Sequence, residues 1–229
     1  MHLTDMTMNR SRLLVAVVAV AMTLPFAAAP VIAQRAVPPG SGDPFKDTSM
    51  IKPPLGARVA LFEFEDLECP ACARAYPMVH AAAAHYNIPL VRKDFPLPMH
   101  IWSLDAAIWA RYLQDKVSPK MADEYRAAVF AAQAGIGSKD DMLIFTRRFF
   151  QSHGLSMPFV VDPMGEFRKE VLVDKALGEK MGLVHTPTIF VCSQHEWVQV
   201  TDPTQLYQTI EAVESQAGAN PPAKRASHP

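Results

Sequence analysis

Arg58 to Phe64 (RVALFEF) is apolar on both faces of an extended chain. One face carries Val59, Leu61 and Glu63, the other Ala60, Phe62 and Phe64. Side chains alternate along a strand, so such a stretch must be covered on both sides. It belongs in the middle of a sheet. The alanine-rich stretch Pro70 to Tyr86 is predicted as a helix, kinked where Pro77 falls inside it. Ile88 to Asp94 is a second strand. Strand, helix and strand in this order predict a right-handed crossover and a parallel pair.

Three helices follow, at Trp102 to Asp115, Pro119 to Ala134 and Lys139 to His153. Each shows apolar residues at three- and four-residue spacing. Met164 to Met181 is another helix, with Gly182 placed to cap its C-terminus. Thr188 to Cys192 and Trp197 to Val200 make a hairpin, and Pro203 to Val213 a last amphipathic helix. The fold class is therefore α/β, with a mixed central sheet and an all-helical insert at about residues 99–160. The core domain is expected over residues 57–214. Trp102, Trp109, Phe149 and Phe150 are read as packing of the insert.

The two ends of the chain look different. Arg10 and Arg12 precede an almost wholly apolar run from Leu13 to Ala29. Small residues then mark a cleavage point before Gln34. Residues 1–33 read as a signal peptide, which places the protein in the periplasm or outside the cell. Residues 34–56, rich in Pro and Gly, form a leader segment, and residues 215–229 a flexible tail. The formal net charge of -1 and the lack of a basic stripe speak against nucleic acid. A monomer is expected. Three cysteines are too few for a disulfide framework in a chain of 229 residues. Two of them stand three apart, which is the usage of a redox site.

Those two are in Cys69-Pro70-Ala71-Cys72, directly after the buried strand and at the start of the first helix. Cys69 falls at the N-cap and Pro70 at the first helical position, where a missing N–H costs nothing. Unpaired N–H groups and the helix dipole then favour a thiolate at Cys69 and lower its pKa. Cys72, one turn on, is placed to resolve a mixed disulfide. The competing reading is a zinc site of Cys69, Cys72, His80 and His85. Both histidines lie further along the same helix, so four ligands converge only if the helix breaks. The second element is His185-Thr186-Pro187-Thr188, just before an apolar strand. Cys192, within that strand, reads as a buried inert thiol.

CPAC after FEFED, with HTPTIFV more than a hundred residues later and helices between, resembles the DsbA-like disulfide oxidoreductases of the thioredoxin superfamily. The resemblance spans about residues 57–214. It implies a thioredoxin-like fold and exchange of disulfides with cysteine-containing proteins through a Cys69–Cys72 redox disulfide. Cys69 would be the exposed nucleophile, with Pro70 and Ala71 beside it at the substrate surface. Pro187 would be cis near the sulfurs, and the Thr186 backbone would pair with an extended substrate. No cofactor or metal is implied, and a membrane redox partner is. Related proteins carry a buried acid six residues before the first cysteine, which is Glu63 here. Its place on a strand covered on both sides independently predicts burial and a raised pKa.

Two departures bear on the direction of electron flow. Ala71 stands where better-known members have a histidine, and Glu65, Asp66 and Glu68 surround the site with negative charge. Both favour a milder oxidant, or a reductase or isomerase. A copper or zinc carrier on the same fold would need His185 aimed at the sulfurs.

Overall fold

In the computed structural model, side chains are described for residues 51–218, and for Ala36–Val37 the backbone alone. The signal-peptide reading and all but the first residues of the tail lie outside these residues. The elements are β1 (Ala36–Val37), β2 (Val59–Glu65), α1 (Pro70–Tyr86), β3 (Leu90–Asp94), α2 (Ser103–Lys116), α3 (Pro119–Ala132), α4 (Lys139–Ser152), α5 (Glu166–Lys180), β4 (Thr188–Ser193), β5 (Trp197–Val200) and α6 (Leu206–Ala217).

The sheet order is β1-β5-β4-β2-β3. Strand β2 lies parallel to β3 and antiparallel to β4, and β4 and β5 form the antiparallel hairpin. The doubly apolar strand is therefore interior, as its composition requires, and every residue of β2 is buried. The leader contributes β1, which pairs antiparallel with β5. Helix α1 continues through Pro77 to Tyr86. At the other end, α6 reaches Ala217, which is packed in the core, so Ser215 to Ala217 are helix and not tail.

Each face of the sheet is covered by different helices. Val59 and Leu61 pack with Ala75 and Val79 of α1 and with Leu206, Ile210 and Val213 of α6. Ala60, Phe62 and Phe64 pack with Phe95, Met181, Phe190 and Trp197 on the opposite side. Full burial of side chains of this size stabilises by about 1.5–3 kcal/mol each. Helix α5 closes over the second face at Gly178, where a Cβ would lie 2.6 Å from the Phe95 ring. Its end is a Schellman cap as the sequence predicts. Gly182 has φ +76°, its N–H donates to the Glu179 carbonyl, and the Leu183 N–H donates to the Gly178 carbonyl.

The insert has its own core. Trp102, Trp109, Phe149 and Phe150 are all buried there, with Tyr125 and Leu113. Cys69 and Cys72 belong to this same cluster. The insert therefore packs directly on the start of α1.

Candidate active site

Cys69 is the N-cap of α1 and Pro70 its first residue. The Cys69 Sγ lies 3.4 Å from the carbonyl oxygen of Thr186, 117 residues away in sequence. The Thr186–Pro187 peptide bond is cis. Cys69 and Cys72 are free thiols. Cys72 is wholly buried, and its Sγ accepts a hydrogen bond from the Asp66 N–H at 3.4 Å. Cys69 is only 6% exposed, which corrects the expectation of an open nucleophile. The Thr186 carbonyl lies against it, and it packs in the insert's apolar cluster. The accessible rim is Pro70, which is exposed, and Ala71, which is half-buried.

The two thiols are pushed apart in acidity. A hydrogen bond from the Cys72 thiol lowers the Cys69 pKa to about 5, against burial that raises it, with the Thr186 side chain and the N–H groups of Cys72 and Ala71 lowering it further. The backbone donors are those that a helix start leaves unpaired. Burial, then the bond to Cys69, pushes the Cys72 thiol strongly upward. One sulfur is thus a thiolate at neutral pH and its neighbour a protonated thiol. That is the arrangement of a nucleophile and a resolving group in thiol–disulfide exchange.

The three acids ahead of Cys69 do not crowd the thiolate, contrary to the sequence expectation. Glu65 Oε1 accepts from Arg126 Nη1 at 2.7 Å. Asp66 accepts from the N–H groups of Glu68 and Leu97 and pairs with His100 Nδ1 at 2.7 Å. Glu68 Oε2 accepts from the N–H groups of Trp102 and Ser103 at 2.6 and 2.9 Å, capping α2. Each carboxylate has its own partner, and all three reach residues of the insert: Arg126, His100, and Trp102 with Ser103. Glu63 is 1% exposed on the face of β2 that α1 covers. Burial, then the neighbouring Glu65, raises its pKa well above the ordinary carboxyl value.

The remaining sequence candidates are placed as follows. Pro187 and Thr186 line an open groove of about 670 Å³, together with Ala71, Met78, Ile189 and Val200. His185 is exposed at the same groove, and its carbonyl accepts from the Thr188 hydroxyl. The zinc alternative is not assembled. His80 lies against Arg92 and the Tyr76 ring, and His85 against Tyr86 and Tyr207. Among the described residues no three or more His, Cys, Asp or Glu are arranged to hold a metal ion. Cys192 is fully buried on the far face of the sheet, and burial raises its pKa.

Residues not singled out in the sequence complete the surroundings. Arg126, fully buried on α3, reaches both Glu65 and Asp94 Oδ1, each at 2.7 Å. Asp94 Oδ2 also accepts from Arg111 Nε at 2.6 Å, and Arg111 in turn pairs with Asp174. One signal was present. Arg126 stands in the apolar stripe of α3 with Ala122, Tyr125, Val129 and Phe130, all buried. A charge in such a stripe requires a buried partner.

The model of the thioredoxin family matches residues 48–212. The chain belongs to the thioredoxin family. Its fold is DsbA-like. It superposes on Wolbachia pipientis alpha-DsbA1 with a TM-score of 0.57 at 15% identity, covering 74% of this chain and 96% of that one. For Pseudomonas aeruginosa DsbA2 the values are 0.57 and 18%, over 73% and 93%. A periplasmic thioredoxin-like protein from Salmonella enterica serovar Typhimurium gives 0.55 and 17%, over 74% and 89%. No curated protein matches the chain in sequence. Within this thioredoxin-family chain, the paired thiols at the head of α1 have the chemistry of a thiol–disulfide oxidoreductase.

Proposed function

We propose that the protein is an exported thiol–disulfide oxidoreductase that exchanges disulfides with cysteine-containing protein substrates through Cys69 and Cys72. The observation that carries this is the Cys69 sulfur, seated at a helix start against the Thr186 carbonyl with its pKa held at about 5. The Cys69 thiolate attacks a substrate disulfide, or its disulfide with Cys72 is attacked. A mixed disulfide forms on Cys69 and Cys72 resolves it. Glu63 exchanges the proton that Cys72 gives up or regains. The groove beside Thr186 and Pro187 takes an extended segment of substrate, with Pro70, Ala71 and His185 at its edge. No cofactor takes part, and a membrane partner resets the redox state. The N-terminal pattern supports export, as does the likeness to a periplasmic Salmonella protein.

The structure also bears on direction. A stabilised thiolate stabilises the dithiol form, which makes the disulfide form a better oxidant. The lack of a histidine at Ala71 argued for a reductase or isomerase, and the pairing of the three acids removes the second ground for it. The net direction is oxidation of client thiols. Equilibration of the Cys69–Cys72 pair with glutathione tests this. A potential nearer the roughly -120 mV of a strong oxidant than the roughly -270 mV of a reductant is expected. A value at the reducing end assigns the opposite direction. Loss of both client oxidation and insulin reduction in Cys69→Ser is expected, and unchanged activity refutes the site.

A further inference from the structure

Glu63 and Glu65 stand two residues apart on β2, facing the same way, and both are 1% exposed. Two acids so placed do not both ionise without cations nearby. Their cations are unevenly shared. Arg126 Nη1 contacts Glu65 and Asp94 and has no bond to Glu63. Arg92, opposite Glu63 in the sheet, is engaged with Asp123 and lies against His80. Glu63 Oε2 is buried without a hydrogen-bond partner; Glu65 Oε2 also lacks one, but its other oxygen is held by the guanidinium.

We propose that Arg126, carried into the core by the helical insert, holds Glu65 and Asp94 as carboxylates and so leaves Glu63 as the one buried acid that takes up and releases a proton. This rests on the proton role given to Glu63 above. Arg126 acts through the acids and is a positioning residue. The groups that face Glu63 are Glu65 on β2, Arg92 on β3, Arg126 on α3 and the Tyr76 phenol on α1. Its partner in the register on β4 is the apolar Ile189, and α6 presents Leu206 and Ile210 to that side of the sheet. Burial raises both acids, Glu63 well above its ordinary value, while Arg126 acts on Glu65 through a direct hydrogen bond.

The step served is balanced. When a mixed disulfide resolves, the Cys72 thiol passes its proton to the Glu63 carboxylate and its sulfur attacks the Cys69 sulfur. The Cys69–Cys72 bond forms, the Cys69–client bond breaks, and the electron pair leaves on the client thiolate. The cysteine pair is oxidised and the client cysteine reduced. The opposite direction runs the same step backwards, with Glu63 protonating Cys72. A second buried acid competing for the proton would blur this exchange, and Arg126 removes the competitor.

Infrared titration of protonated carboxyl groups in the purified protein tests the assignment without relying on thiol exchange. One buried carboxyl is expected to take up its proton above the ordinary carboxyl range, its band absent in Glu63→Gln and kept in Glu65→Gln and Arg126→Lys. Arg126→Met should add a second protonated carboxyl, and the pH profile of the Cys69–Cys72 equilibrium should gain a second inflection. A band lost in Glu65→Gln and kept in Glu63→Gln overturns the proposal, as does a folded Arg126→Met with a single unchanged band. If Arg126→Met does not fold, the two glutamine variants decide alone. Absent thiol exchange with the expected carboxyl bands would refute the function proposed above and leave the proton assignment standing.

Discussion

Between about pH 5 and the ordinary thiol value, Cys69 is a thiolate in the folded protein and a thiol in the unfolded chain. The folded state then binds fewer protons, so stability of the dithiol form rises with pH across that window. The slope reaches about 1.36 kcal/mol per pH unit, and the contribution is lost as pH falls through 5. The disulfide form has no such titration. Denaturant midpoints of the dithiol protein should therefore climb from pH 5 to 8 relative to those of the disulfide protein. Thiolate absorbance should titrate with a midpoint near pH 5 and vanish in Cys69→Ser, while a midpoint near 8.5 would contradict the hydrogen-bonded site. The placement of this sulfur was legible in the sequence, because Pro70 and the preceding apolar strand fix where the helix begins. The company of Glu65, Asp66 and Glu68 was not. Three acids within four residues read as repulsion until their partners are known, and the partners beyond that loop stand 31 to 61 residues away.

Elements meet the site through few contacts, and two of these are open to single substitutions. Glu68, one residue before the nucleophile, caps α2 with one carboxylate oxygen on two N–H groups. Glu68→Ala should cost about 0.5–2 kcal/mol, read from urea unfolding. It should also slow client exchange, since the loop from Asp66 to Cys69 loses its tie to the insert. Gly178 lets α5 lie on Phe95 and Phe64. Gly178→Ala pushes a methyl into the Phe95 ring and should destabilise by about 1–3 kcal/mol, although alanine is the better helix former. A neutral or stabilising result would show that the ring gives way. The helices themselves were readable from apolar spacing, which local burial enforces. Strand β1 was not, since two residues carry no periodicity and pair only because β5 presents an edge. The end of α6 was misplaced for a similar reason. Ser215 and Gln216 look like tail, but Ala217 packs in the core and carries the helix on.

At the scale of the whole molecule, the insert and the sheet are joined by buried charge as well as by apolar packing. Arg126 of α3 ties β2 to β3 through Glu65 and Asp94, and Arg111 of α2 ties β3 to α5 through Asp94 and Asp174. Neither half can leave without exposing or orphaning these charges. The two cysteines lie in the insert's apolar cluster while heading a helix of the sheet layer. Insert and sheet should therefore unfold together. The chain has three tryptophans, and they fall conveniently: Trp102 and Trp109 report the insert and Trp197 the sheet. In denaturant, the emission of a Trp197→Phe protein and that of a Trp102→Phe/Trp109→Phe protein should each track loss of helical circular dichroism in a single transition. Removing the shared cation should move both probes by the same amount. Arg126→Met strips Glu65 of its cation, while Asp94 keeps Arg111, and should cost about 3–5 kcal/mol by either probe. An insert probe that melts first, with the sheet probe unmoved by Arg126→Met, would mean that the insert is an independent lid and that the buried charges couple nothing.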